Sequence, residues 1–485
     1  MAWEPVIGLE CHIQLGTRTK MFCGCPNAFG DEPNTNVCPV CLGLPGALPR
    51  LNAAAVGEAL ALGLALGCRI REESVFARKN YFYPDMPKNY QITQYDRPLC
   101  EGGALPVTAG GETRAIALTR IHCEEDAGKS FHPERHGDVR LSRVEFNRAG
   151  TPLLELVTEP ALRGPAECAA FLLALRRLVR WLGVSDGDME KAQLRCDANV
   201  SLRPRGGSRL GVKTELKNLN SIKGVERGVA AEIARQAVLL DRGEPVVQST
   251  LLYDADHDRL AVMRTKEDAH DYRYFPEPDL PVLRVAAGQL ESARAALPEL
   301  PWAREARFGG EFGLPAYDAA VLTESRELSD YFEASARGAD AKLASNWIMV
   351  EVLRALKDRG WPLARWAERV PAPRLRGFLA RVGAKALPGP LAKQVFAWMA
   401  DEDGSTDELL ARHGVQVRGS ADELRPLVRE VLDAHPEAVA QVLEGRAATF
   451  GFLVGQVMKR SGGQAVPQTV QALLREELAA RAAGG

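Results

Sequence analysis

Near residue 295 the periodicity of the chain changes, and that change restricts the fold more than any single motif does. Before it, short stretches alternate between polar and apolar residues and are interrupted by Pro/Gly turns, the pattern of strands and hairpins. After it, Ala, Leu, Arg and Glu dominate at helical spacing, as in AYDAAVLTESRELSDYFEASARG, and Pro or Gly breaks the run at intervals. An α+β region followed by helical ones is the expected architecture. The polar interruption WMADEDGS, Trp398 to Ser405, predicts a second break near residue 408. The expected division is therefore 1–295, 296–407 and 408–485, and a chain of 485 residues has room for roughly three domains.

Charge narrows the function classes. Lys and Arg number 61 against 63 Asp and Glu, a net of −2, with hydrophobic residues at 46%. That balance excludes disorder as the main state, and it excludes a global basic field, so any nucleic-acid contact must come from a local patch. Residues 446–485 offer one: Arg446, Lys459, Arg460, Arg475 and Arg481 outnumber Glu476 and Glu477, an excess that suits phosphate contacts or a solvated helical face. The opening MAWEPVIGLE has no signal-peptide pattern, and no run of about 18 apolar residues occurs. A cytosolic chain with no membrane span is expected.

All ten cysteines fall in the first 196 residues, and four of them form a pattern. Cys23-Gly-Cys25 and Cys38-Pro-Val-Cys41 stand twelve residues apart with prolines and a glycine between them. Four thiolates at these spacings can close a tetrahedron around Zn²⁺. A closed four-ligand site leaves no position for substrate, so its expected role is to hold a loop over residues 22–48. The alternatives are a redox pair, for which CxC is poorly suited, and unconnected buried thiols.

Three helices are legible. One begins at Pro165, carries Phe171, Leu175, Leu178 and Leu182 on one stripe, and stops at Gly183. Another runs from the cap residue Asn52 to Gly67, and a third follows Ser221 with Val225, Val229 and Ile233 at four-residue spacing. The strands carry polar faces. In Arg195 to Arg203 a period of two places Arg195, Asp197, Asn199, Ser201 and Arg203 together, and the same rule groups Glu10, His12 and Gln14, and Lys213, Glu215 and Lys217. Such faces line a ligand or are merely solvated.

Several familiar motifs fail. Asp126-Ala-Gly-Lys-Ser130 ends like a phosphate loop, but its first glycine would fall on Cys123, and neither GxSxG nor GxGxxG occurs. ATP chemistry in this chain would need Mg²⁺ held by carboxylates, for which Glu10, Glu124, Glu125 and Asp197 are the candidates.

Specific strings carry a resemblance. WEPVIGLECHIQL (3–15), CPVCLGLPGALP (38–49), RKNYFYPDMPKNYQITQYD (78–96), RIHCEEDAGK (120–129), NRAGTPLLELVTEP (147–160), RCDANVSLRP (195–204), KTELKNLNS (213–221) and DYRYFPEPDL (271–280) closely resemble the GatB family, the B subunits of tRNA-dependent amidotransferases. GFLVGQVMK (451–459) is similar to that family's YqeY-like tail. The resemblance implies a cradle domain with an antiparallel sheet related to glutamine synthetase, then an all-helical domain and a small helical tail that contacts tRNA. It implies a heterotrimer with a glutaminase A subunit (GatA) and a small C subunit (GatC), converting Glu-tRNA(Gln) and Asp-tRNA(Asn) to Gln-tRNA(Gln) and Asn-tRNA(Asn). ATP phosphorylates the side-chain carboxylate, and ammonia displaces phosphate. Glu10, His12 and Glu125 match family positions associated with magnesium, and Lys79 and Lys88 match the motif along the route of ammonia and the acceptor end. Arg195, Asp197, Asn199, Glu215 and Lys217 are the nucleotide-side candidates, chiefly from the strand-face argument. Strand alternation puts Glu124 and Glu125 on opposite faces, and only the resemblance favours Glu125. The contrasting reading is a non-catalytic, zinc-bearing tRNA-binding scaffold of the same complex.

Overall fold

A computed structural model describes residues 2–131, 141–255, 257–265, 271–415 and 419–484. The first compact unit spans Met1–Trp302 and the second Ala303–Gly485. In chain order, the elements that build the first unit's site are β1 (Trp3–Gln14), α1 (Ala53–Ala65), β2 (Ala77–Asn80), β3 (Tyr90–Thr93), β4 (Glu112–Glu125) and β5 (Pro152–Thr158). They are followed by α2 (Pro165–Leu182), β6 (Leu194–Pro204), β7 (Thr214–Leu219), α3 (Ile222–Asp241), β8 (Ser249–Asp254) and β9 (Arg259–Thr265).

The three legible helices form as their end signals require. Asn52 accepts the Ala54 N–H at 2.9 Å, and Ser221 accepts the Gly224 N–H at 2.9 Å. Gly183 closes α2 at φ 71°, a left-handed conformation that favours glycine.

Ten strands form one sheet in the order β9-β8-β7-β6-β1-β5-β4, continued by Cys100–Glu101 and Arg69–Ile70, with Ala104–Ala109 also on β4. The antiparallel expectation needs one correction, because β7 and β8 run parallel and the sheet is mixed. A parallel neighbour demands a crossover, and the twenty-residue α3 supplies it. One face of the sheet is apolar. Leu9, Cys11 and Ile13 of β1, Leu154 and Leu156 of β5, and Leu194, Cys196 and Ala198 of β6 are buried with α1, α2 and α3 in one core. The opposite face carries the polar side chains. Lys213 does not join it: β7 starts one residue later and Lys213 is exposed.

The first core reaches beyond residue 295, since Leu297, Leu300 and Trp302 pack against it. In the second unit the described elements are helical, with two hydrophobic clusters. One runs from Phe308 to Leu410 and the other from Leu424 to Leu478. Residue 408 therefore falls inside the helix Thr406–Arg412, whose Leu409 and Leu410 pack into the earlier cluster. The positive excess of the last forty residues is offset within this unit. Arg460 pairs with Glu430 and Arg481 with Asp433, both acids on the helix Ala421–Ala434, and residues 419–485 hold seven Lys/Arg against eight Asp/Glu. Among the described residues no helix is long and apolar enough to cross a membrane.

One half-buried carboxyl makes a pH-dependent contribution. Burial on α1 pushes Glu58 up to about 7, opposed only by a backbone hydrogen bond from Gly16. Folding thus takes up a proton at Glu58 between its ordinary value of 4.5 and about 7, and stability falls as pH rises through that window. Glu58→Gln is expected to raise unfolding stability at pH 8 by about 1–2 kcal/mol and to change it little at pH 4.5, measured by denaturant titration.

Candidate active site

The register of five strands assembles the site. Glu10 on β1 lies opposite Asp197 on β6, and His12 lies between Arg195 on β6 and Glu155 on β5. Glu155 in turn faces His122 on β4, and β7 adds Glu215 and Lys217 beyond Asn199. Because each strand alternates, all these residues share the face turned away from the helices.

Three carboxylates and two imidazoles converge at its centre. The His12 Nε2 lies 3.5 Å from Glu124 Oε1, 3.5 Å from Glu155 Oε2 and 3.8 Å from Glu10 Oε1. The His122 Nε2 is 3.6 Å from both Glu124 Oε2 and Glu155 Oε2. Ligand atoms of Glu10, His12 and Glu155 lie within 4.8 Å of one another, as do those of His122, Glu124 and Glu155. Burial, reinforced by Glu155, raises Glu10 above the ordinary carboxylate range. His12 is raised because its hydrogen bond to Glu155 and the charge of Glu124 outweigh burial. Against the same cost of burial, the histidines hold Glu124 and Glu155 low. Acids crowded in this way favour a cation between them, and an oxygen-rich donor set suits Mg²⁺.

Of the expected magnesium trio, Glu10 and His12 are brought together and Glu125 is not. Glu125 lies on the other side of β4 from Glu124, paired with Lys88, and its Oε1 accepts the Ile92 N–H at 3.0 Å. Strand β3 contacts both acids: Thr93 donates its hydroxyl to Glu124 at 3.1 Å, and Gln91 donates to the Glu125 carbonyl at 2.7 Å. Lys79 on β2 is half-buried beside the cluster, its ammonium 4.9 Å from the Tyr272 ring centroid. Burial would lower its pKa, but Glu124 and neighbouring groups raise it. Arg195 binds Asp126 at 2.8 Å, while Lys217 bridges Asp197 at 2.6 Å and Glu215 at 3.0 Å. Glu155 and His122 were missed from sequence, although a lone acid inside the apolar run Leu153-Leu154-Glu155-Leu156-Val157 was a readable signal.

The four paired cysteines are also gathered. Their Sγ atoms lie within 4.8 Å of one another, with Cys38 and Cys41 at 3.9 Å. Zinc–sulfur bonds of about 2.3 Å in a tetrahedron require sulfurs about 3.8 Å apart, so the set fits zinc. The Cys41 thiol is held down to about 5 by its hydrogen bond with Cys23, then by the Cys38 backbone and the Lys20 charge. Lys20 is fully buried, and its ammonium donates to the Asn36 carbonyl at 2.7 Å, the Phe146 carbonyl at 3.3 Å and Cys41 Sγ at 3.8 Å. This loop touches the site: Gly43 has φ 67°, and a Cβ there would collide with the Lys88 side chain.

Comparison with protein families locates the chain. A family model described as the GatB/GatE catalytic domain matches residues 5–291, and one described as the GatB domain matches residues 330–478. A protein of Halorhodospira halophila, named as the B subunit of aspartyl/glutamyl-tRNA(Asn/Gln) amidotransferase, is 50% identical over 482 residues, covering 99% of each chain. The chain belongs to the GatB family. Relatives of the same name in Chlorobium chlorochromatii and Bordetella avium are 47% and 48% identical, covering 99% of this chain and 100% of their own. The cluster on the polar face lies within the part matched to the GatB/GatE catalytic domain, and so do the four cysteines. The second match begins at residue 330, inside the first hydrophobic cluster of the helical unit, and extends across the second.

Proposed function

We propose that this chain is the subunit of a tRNA-dependent amidotransferase that activates the side-chain carboxylate of Glu-tRNA(Gln) or Asp-tRNA(Asn) with ATP and admits ammonia to it. The observation that carries this reading is the convergence of Glu10, His12, Glu124, Glu155 and His122 on one sheet face. A carboxylate is a poor electrophile because oxide would have to leave, whereas an acyl phosphate releases phosphate. Glu10, His12, Glu124 and Glu155 would hold magnesium, whose positive charge offsets repulsion between the triphosphate and the incoming carboxylate. Lys217 and Arg195, each already anchored by an acid, border the side on which the nucleotide phosphates are assigned. Lys79 stands on the opposite side, positioned to neutralise the substrate carboxylate.

Ammonia must arrive uncharged, because ammonium has no lone pair to donate. Glu125 is the base for this step, and its partner Lys88 must swing aside for Glu125 to take the proton. Cys23, Cys25, Cys38 and Cys41 are assigned to structural zinc that supports this wall of the site. The same reading brings a glutaminase A subunit, a small C subunit, a sheet domain of the glutamine synthetase kind and a tRNA-binding tail.

The test is ADP release by the complex supplied with Mg²⁺, ATP, free ammonia and Glu-tRNA(Gln). The expected result is ADP and phosphate in step with Gln-tRNA formation, and less than about a tenth of that rate with uncharged tRNA. Equal ADP release with and without the aminoacyl group would overturn the reading, and amide formation without ATP cleavage would favour a scaffold.

A further inference from the structure

Beside the acid cluster stands a group of tyrosines that the reaction as described leaves unused. Tyr95 and Tyr274 stack face to face, with centroids 4.1 Å apart and planes 8° from parallel. Tyr272 meets Tyr274 edge-on at 6.1 Å, and Tyr81 meets Tyr272 at 6.3 Å. Tyr95 is 58% exposed although one face of its ring is covered, so its other face is open to solvent.

The group is built rigidly and aimed at the site. Phe275–Pro276 pairs with β2, and Asn80 fastens the preceding turn: its backbone N–H donates to the Tyr272 carbonyl at 2.9 Å and its side chain to the Arg273 carbonyl at 2.8 Å. These bonds hold Arg273 at φ 43°, a left-handed conformation that a non-glycine residue adopts only under such restraint. On the other strand, Tyr95 follows two residues after Thr93, whose hydroxyl is bound to Glu124 at 3.1 Å. Lys79 stands against the Tyr272 ring at 4.9 Å. The platform therefore lies at the β4 side of the cluster, across β1 and β5 from Asp197, Glu215 and Lys217.

We infer that the Tyr95–Tyr274 pair is a stacking platform for an unpaired adenine, that of the 3′-terminal nucleotide bearing the aminoacyl group. The inference rests on the proposed transamidation. Stacking is the sequence-tolerant way to grip a single-stranded end, because every base offers a π face, and a preformed aromatic pair incurs little ordering cost. With the nucleotide phosphates assigned to the Lys217 side, the acceptor enters from the tyrosine side and the aminoacyl carboxylate reaches the cluster past Lys79. Tyr95 and Tyr274 are substrate-binding residues on this account, and Asn80 is a positioning residue.

The experiment uses the complete complex and Glu-tRNA(Gln) with 2-aminopurine in place of the terminal adenine, and in parallel 2-aminopurine riboside triphosphate in place of ATP. The expected result is quenching of the tRNA probe on binding, lost in Tyr95→Ala and kept in Tyr95→Phe. Tyr95→Ala should also raise the KM for aminoacyl-tRNA about tenfold with little change in kcat. Tyr95 is exposed, so its removal leaves the core intact, and Tyr274→Leu gives a second variant with the same expected loss. Quenching of the triphosphate probe alone would assign the platform to ATP and overturn the inference. Turnover without quenching would overturn it while leaving the proposed reaction standing, whereas absence of any turnover with wild-type protein would remove both.

Discussion

Replacing Glu124 by Gln is expected to reduce substrate-dependent ADP release on the order of 100- to 1000-fold, while Glu125→Gln leaves ADP release near the wild-type rate and lowers amide yield per ADP. The two neighbours on β4 differ only in direction. Glu124 touches His12 and His122 and receives the Thr93 hydroxyl, so its charge belongs to the cluster assigned to magnesium. A neutral amide there removes one anion from the set and leaves both imidazoles short of a carboxylate partner. Glu125 instead contacts Lys88 and the Ile92 N–H, away from the cluster, in the wall assigned to ammonia. Its amide keeps the volume and loses the basicity, so activated substrate would be hydrolysed rather than aminated. Parallel measurement of ADP and Gln-tRNA separates the two defects. Coincident loss of both activities in Glu125→Gln, with Glu124→Gln unaffected, would reverse the assignment.

Cys41→Ser is expected to lower zinc content from near one per chain to below about a tenth, and to open residues 22–48 to limited proteolysis. Cys41 is the buried member of the quartet, and its sulfur also meets the ammonium of Lys20, which is shut away from solvent. Removing the thiolate therefore withdraws a metal ligand and also a charge partner from a buried cation, a combination that costs several kcal/mol in ordinary cores, about 3–5. The damage should spread. Lys20 ties the loop to the Phe146 carbonyl, and Gly43 packs against Lys88, so amide yield per ADP should fall as it does in Glu125→Gln. Metal analysis of purified protein and proteolytic mapping measure the two effects. A full zinc complement in Cys41→Ser would remove the site from the assignment.

Much of the local architecture was legible because it depends on neighbours in the chain. Asn52, Ser221 and Gly183 act on backbone groups within a few residues, and the apolar stripes on α1, α2 and α3 follow the helical period, so these ends were readable. Strand alternation likewise placed Arg195, Asp197 and Asn199 on one side of β6, and CxC with CxxC pointed to a thiol quartet that the fold assembles. Where an interface intervened, composition told only part: two of the basic residues after 446, Arg460 and Arg481, pair with Glu430 and Asp433 on the helix Ala421–Ala434.

What the chain's own order determined, then, was the three helices α1, α2 and α3, the shared polar faces of β1 and β6, and the four thiols at matching spacing. The tertiary structure alone decided which face of β4 joins the cluster, that Glu155 and His122 complete it, and that Tyr95 meets Tyr274. The reason is physical: alternation sets a side chain's direction relative to its own strand, whereas a shared face arises only when strands distant in sequence pair in one register.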